Sequence, residues 1–285
     1  MNIQYVEKAK EYGEESHIAI AYYQQGEIAE EQWDLDAAEY WFKKALTVFR
    51  KLGNDHNAAV TCHNLGRLAH ELRDLEGADG WYKKSLNIFQ KFGDVHGVAN
   101  IYHQLGRIAE DQQDLEEAES WHKKALTVRQ ETGNQDGTAQ TYHQLGYLAH
   151  KKKDFEAAEG WYKKSLAIEL KNDNAYGAGI TYHQLGRIAE DQWDFELAEY
   201  WYKKSLTIKL KYGDEHGAAI TYHQLGRIAE NQRDFKSAEG WYKKALMIFE
   251  LLKNKYNASI VKNSLTWLNI LVSKEFRRCG NVIRG

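Results

Sequence analysis

Histidine, glutamine and arginine return at fixed places along this chain, in the spacing that a binding surface needs. His63, His103, His143, His183 and His223 are separated by one constant interval, and each but the first is followed by glutamine: Gln104, Gln144, Gln184 and Gln224. Four residues after each histidine comes Arg67, Arg107, Tyr147, Arg187 or Arg227, and in the opening repeat Glu27 takes that place. Three residues further stand Glu30, His70, Glu110, His150, Glu190 and Glu230. Steps of three and four place these residues on one side of a helix. Arginine offers a planar, permanently charged fork suited to carboxylates, and glutamine can bond a peptide backbone. A row of imidazoles adds an expected pH response, because unperturbed histidine charges near pH ~6–7.

Other chemistries fit poorly. Equivalent places on stacked helices lie about 8–10 Å apart or more, whereas zinc holds each imidazole nitrogen at ~2.0–2.1 Å. No metal or other cofactor is therefore expected. No glycine-rich phosphate loop, GxSxG elbow, HExxH pair or nucleophilic Cys/His set occurs, so the sequence reads as non-enzymatic. Paired lysines (Lys43-Lys44, then again at 83, 123, 163, 203 and 243) suggest nucleic acid. However, the first of each pair has an acid four residues earlier, the favoured order for helix support. With a net charge of −3, no bulk attraction to nucleic acid or to an anionic membrane is expected.

The positions that carry these residues recur because the whole sequence recurs. TYHQLGRIAE stands at 181–190 and again, unchanged, at 221–230, and six repeats of about 40 residues run from 21 to 260 without insertion or deletion. A fixed period of this length means stacked supersecondary elements that cannot fold singly. In the repeat at 181–220, Tyr182, Leu185, Gly186, Ile188 and Ala189 form one helical stripe. That helix is expected to start near Gly177 and end near Asp191. Asp194 then reads as the N-cap of a second helix, whose stripe is Phe195, Ala198, Trp201, Tyr202, Ser205, Leu206 and Ile208. Gly213 supplies a left-handed stop. The result is an all-α solenoid of helix pairs, and the absence of proline suits long helices.

Mid-helix glycines at 26, 66, 106, 146, 186 and 226 each cost about 1 kcal/mol relative to alanine. They predict a close approach of the paired helices, with Ala38, Ala78, Ala118, Ala158, Ala198 and Ala238 opposite. Tryptophans at 41, 81, 121, 161, 201 and 241 read as filling between neighbouring repeats.

Leu-Gly in the first helix, Asp194-Phe195-x-x-Ala198 after the turn, and the Gly213-Asp214…Gly217-x-Ala219 linker resemble the tetratricopeptide repeat (TPR). The 40-residue period is similar to arrays of the Pins/LGN adaptor type, kinesin light chains and sensor regions of prokaryotic signalling ATPases. The resemblance covers about 21–260 and departs from the common repeat in lacking its closing proline. It implies a right-handed superhelical solenoid whose first helices line a concave groove, with the His, Gln, Arg and Tyr147 positions named above as groove contacts. It also implies a protein or peptide partner rather than nucleic acid or membrane.

Residues 1–20 read as the closing half of a repeat, and 261–285 as a capping helix with a basic tail, of which 274–280 lie outside the repeat register. The N-terminal stretch lacks the apolar run of a signal peptide, no ~20-residue apolar segment occurs, and Cys62 and Cys279 form no metal or CxxC spacing. A reduced, cytoplasmic setting follows. The leading functional reading is a non-enzymatic interaction scaffold that binds a peptide or helix in the groove. The alternative is the sensor or autoinhibitory array of a larger signalling ATPase or transcriptional regulator, and a third reading is self-association through the array ends. Arg107, Arg187 and Arg227 each have Glu three residues on, so intrahelical ion pairs offer a purely structural account of the same arginines.

Overall fold

Aspartate or asparagine precedes nearly every helix of this protein, and its side chain closes the helix end. The computed structural model describes residues 15–282, with side chains described to 275. Between helices of a pair, Asp34, Asp74, Asp114, Asp154, Asp194 and Asp234 accept from the amide three residues on at 2.9–3.1 Å. Between pairs, Asn54, Asp94, Asn134, Asn174, Asp214 and Asn254 do the same at 2.8–3.2 Å. Each such cap contributes roughly 1 kcal/mol and fixes where a helix starts.

Among the described residues there are thirteen helices and no strands. They are α1 (Glu15–Glu31), α2 (Leu35–Lys51), α3 (Asp55–Glu71), α4 (Leu75–Phe92), α5 (Val95–Asp111), α6 (Leu115–Glu131), α7 (Gln135–Lys151), α8 (Phe155–Lys171), α9 (Ala175–Asp191), α10 (Phe195–Lys211), α11 (Glu215–Asn231), α12 (Phe235–Leu251) and α13 (Lys255–Val282). Odd-numbered helices up to α11 are first helices of a repeat, and even-numbered ones are second helices. None of the described helices is long and apolar enough to cross a membrane.

The chain divides into two compact parts, residues 1–148 and 149–285. In the N-terminal part, Ala38, Phe42 and Phe49 of α2 form one core cluster with Leu65 and Leu68 of α3, and Trp81 packs against both this cluster and the next. In the C-terminal part, Ala158, Tyr162, Leu185 and Ile188 form one cluster, against which Trp201 packs, and Trp201 also packs against the following one. Tryptophan therefore does link neighbouring repeats. It also stacks on the tyrosine of its own first helix, as in Tyr102–Trp121 at 5.6 Å and Tyr182–Trp201 at 5.5 Å.

The glycine positions are sites of close approach, but alanine is not what approaches. A Cβ on Gly66 would lie 2.7 Å from the ring of Tyr82, and one on Gly186 would lie 2.7 Å from the ring of Tyr202. Ala78 and Ala198 are fully buried nearby, four residues before those rings.

A second difference lies at the turn inside each pair. Trp33, Arg73, Gln113, Lys153, Trp193 and Arg233 all have φ between 60° and 64°, the left-handed region, although none is glycine. The linker between pairs uses Gly53, Gly93, Gly133 and Gly213 for the same conformation, with Asp173 and Lys253 in the other two.

The C-terminal helix keeps the first-helix register through Val261 and Leu268, which are buried. It then runs on to Val282, so the tail at 274–280 continues α13 rather than leaving the helix. Of the N-terminal half-repeat expected at 1–20, only 15–20 fall among the described residues, as the start of α1.

Candidate functional site: the exposed face of the first helices

First helices spend their apolar stripe on packing and leave the residues between to a second face. In α9, Tyr182, Leu185, Gly186, Ile188 and Ala189 are buried, while His183, Gln184 and Arg187 are partly exposed. In α5, Gln104 is half-buried and Arg107 is exposed. Tyr147 and Gln144 are half-buried on α7, and Gln224 is half-buried beside an exposed Arg227 on α11.

The histidines are packing groups. His63 lies 5.8 Å from the ring of Tyr82, and His103 lies 5.3 Å from that of His122. In the C-terminal part, His183 and His223 lie 5.2 and 5.4 Å from Tyr202 and Tyr242. Burial makes protonation costly, and the pKa values fall to about 3 for His103 and His183 and about 4 for His143 and His223. The expected charging of these imidazoles near pH ~6–7 is thereby corrected, since that figure applies to solvated rings. Their faces still contribute surface, but as neutral groups.

Glutamine and arginine do come together. Arg107 donates to the Gln104 amide oxygen at 3.4 Å, Arg187 to Gln184 at 3.2 Å, and Arg227 to Gln224 at 3.2 Å. In the second repeat, Asn64 instead donates to the hydroxyl of Tyr23 at 2.7 Å.

The acids three residues after the arginines go elsewhere. Glu110 takes His122 at 2.7 Å, Glu190 accepts from the Tyr202 hydroxyl at 2.7 Å, and Glu230 accepts from that of Tyr242 at 2.8 Å. The intrahelical Arg–Glu pairs expected from spacing are thus not formed. Two arginines reach back one repeat instead: Arg67 meets Glu30 at 2.5 Å, and Arg227 meets Glu190 at 3.1 Å. Around the first of these, Glu27, Glu30, Glu31, Trp33, Arg67 and Glu71 line a cavity of about 520 Å³.

The lysine pairs are engaged on the second helices. The first of each pair bonds its upstream acid at 2.6–2.8 Å in all six repeats. Lys84 and Lys124 lie 4.0 and 3.8 Å from the centroids of Trp81 and Trp121, and Lys244 lies 4.5 Å from that of Trp241.

Three buried charges escaped the periodicity. Arg129, Glu169 and Lys209 are 3%, 7% and 8% exposed at the place held by Phe49, Phe89 and Phe249 in the other repeats. Arg129 donates to Gly137 O and Thr141 Oγ1, Glu169 accepts from Ser165 and Thr181, and Lys209 donates to Gly217 O and Thr221 Oγ1. Phenylalanine at the equivalent position of three repeats is the sequence signal that the site belongs to the core.

Comparison with known proteins adds the following. A family profile described as tetratricopeptide repeat matches residues 17–91, 97–171 and 173–250. Among solved structures, BtubC (BKLC) from P. vanneervenii aligns with a TM-score of 0.69 at 21% identity, covering 78% of this chain and 93% of that one. Aspartyl phosphate phosphatase F from Bacillus subtilis aligns with a TM-score of 0.66 at 13% identity, covering 90% and 70%. A Rap protein complexed with competence and sporulation factor aligns with a TM-score of 0.59 at 15% identity, covering 91% and 76%. At these identities the likeness is one of fold. No curated protein sequence matches the chain.

Proposed function

We propose a function from one premise: the chain belongs to the tetratricopeptide-repeat family. It acts as a non-enzymatic protein-interaction scaffold, and the partner is a protein segment or peptide that lies on the first-helix faces. The observation that carries this reading is the division of labour within each first helix. Packing consumes Leu105, Gly106, Ile108 and Ala109 of α5, while Gln104 and Arg107 stay accessible and bonded chiefly to each other.

The solved structure of a Rap protein complexed with competence and sporulation factor supports the reading, because a protein of the same fold there holds another molecule.

The test is co-purification from native cells with two variants. One replaces Gln104, Gln144, Gln184 and Gln224 by alanine, and the other replaces Lys83 and Lys203 on the second helices by serine. The expected result is a partner held by the wild type and the lysine variant and lost from the glutamine variant. Equal retention by both variants would overturn the placement on the first-helix face.

A further inference from the structure

Between Phe89 and Phe249, the buried position that they share carries a charge in three successive repeats: Arg129, Glu169 and Lys209. Two of these charges are cations, and each settles on the same two oxygens of the helix that follows. Arg129 donates to Gly137 O at 2.9 Å and to Thr141 Oγ1 at 2.7 Å. Lys209 donates to Gly217 O at 3.3 Å and to Thr221 Oγ1 at 3.0 Å. In both repeats the glycine lies eight residues and the threonine twelve residues beyond the cation.

The repeat of Glu169 keeps that glycine and threonine, as Gly177 and Thr181 of α9, but brings them a carboxylate. Glu169 is 7% exposed. Its Oε1 accepts from the Ser165 and Thr181 hydroxyls, each at 3.1 Å, while its Oε2 is shielded from solvent and meets no donor. Burial raises the carboxyl pKa, the two hydroxyls lower it in part, and no charged group among the described residues adds to either effect. A buried carboxylate needs a counter-charge or a full set of donors. Two hydroxyls on one of its oxygens supply neither.

We infer that the boundary between α8 and α9 binds a small monovalent cation, held by the Glu169 carboxylate, the Thr181 hydroxyl oxygen and the Gly177 carbonyl. The cation takes the place that the Lys209 ammonium holds one repeat later, and here the carboxylate supplies the balancing charge. A hydroxyl that donates to a carboxylate keeps lone pairs for a cation, so the bonds from Ser165 and Thr181 remain. Every ligand atom is oxygen, whereas structural zinc draws on nitrogen and sulfur. One carboxylate balances one positive charge. Calcium takes about 6–8 oxygens, and magnesium keeps waters that a buried site excludes. Glutamate is also the smallest side chain at this position in the six repeats, so it fills least of the space that phenylalanine, arginine and lysine occupy elsewhere.

The chain itself contains the control. Ser205, Lys209, Gly217 and Thr221 stand where Ser165, Glu169, Gly177 and Thr181 stand one repeat earlier. Glu169→Lys therefore copies the built-in ammonium onto the site, and Lys209→Glu copies the site onto the next boundary.

The experiment is thermal unfolding of the full chain at pH ~7.5 in sodium, potassium, ammonium or tetramethylammonium chloride at equal ionic strength. Tetramethylammonium has the same charge but is too bulky for a buried site. The wild type is expected to melt about 2–4 °C higher in at least one of the small cations, the shift given by a ligand at several times its Kd. Glu169→Gln, which keeps the shape without the charge, and Glu169→Lys are each expected to lose that difference. Lys209→Glu is expected to add a second increment of similar size, and its absence would overturn the role given to the glycine and threonine oxygens. A difference as large in Glu169→Gln as in the wild type would be a general salt effect and would overturn the site. A wild type indifferent to the cation would overturn it as well, a proton or water then satisfying Oε2.

Discussion

Gly186 and the ring of Tyr202 occupy one space: a Cβ built on the glycine lies 2.7 Å from Cδ1 and Cε1 of the tyrosine. The ring is fully buried and its hydroxyl is tied to Glu190, so it cannot swing away. Gly186→Ala is expected to destabilise the fold by about 1–3 kcal/mol through overpacking, outweighing the ~1 kcal/mol that alanine gains in helix propensity. Gly160, also within a helix, has nothing within 4 Å of its hypothetical Cβ, and Gly160→Ala is expected to raise stability instead. Urea unfolding of both variants reads the contrast. Pairing Gly186→Ala with Tyr202→Leu should cost less than the sum of the two, and strict additivity would count against ring overlap as the cause.

His103 is expected to make the fold acid-sensitive. Its pKa drops from 6.5 to about 3, with burial the main cause and the nearby His122, Arg129 and Arg107 adding to it. Below pH 6.5 the unfolded chain takes up a proton that the folded chain refuses, so stability falls as pH falls, until the folded state also protonates near 3. At pH ~5 this single group removes about 2 kcal/mol. Denaturant midpoints measured from pH ~7.5 to ~4.5 should decline, and His103→Leu should flatten that decline by one proton's worth. An unchanged slope in the variant would show that the ring is solvated.

How much of this could be read from the letters depended on whether a contact stays within one repeat. Tyr182, Leu185, Gly186, Ile188 and Ala189 are buried as their helical spacing required, and Asp194 caps α10 through the Leu197 amide at 3.0 Å. These are local relations, fixed by 3.6-residue geometry. Spacing along its own helix offers Arg227 the acid Glu230, whereas the acid it meets is Glu190, one repeat away. The place of the histidines beside the apolar stripe resembles a surface position, while in the fold the imidazoles of His183 and His223 pack against Tyr202 and Tyr242. The left-handed turns at Trp33 and Trp193 carry no glycine to announce them.

Lys209 stands four residues after Ser205, within the buried face of α10, at the place where α2, α4 and α12 carry Phe49, Phe89 and Phe249. Its ammonium has Gly217 O at 3.3 Å and Thr221 Oγ1 at 3.0 Å, too few partners to replace its hydration. Burial pushes its pKa from 10.5 down to about 8, against a smaller opposing pull from Asp214. Below pH 8 both folded and unfolded chains are protonated here, and the fold carries the full penalty of a buried charge. Between pH 8 and 10.5 the unfolded chain keeps a proton that the folded chain has released, so stability rises with pH across this window. The penalty at pH 7 is on the order of 3 kcal/mol, and Lys209→Met, of similar length without the charge, is expected to recover much of it. Thermal unfolding at pH ~7 and ~10 reads both effects: the wild type should gain stability on going alkaline, and the variant should start higher and gain less. A variant no more stable than wild type at pH ~7 would mean that the two hydrogen bonds and local water compensate the charge in full.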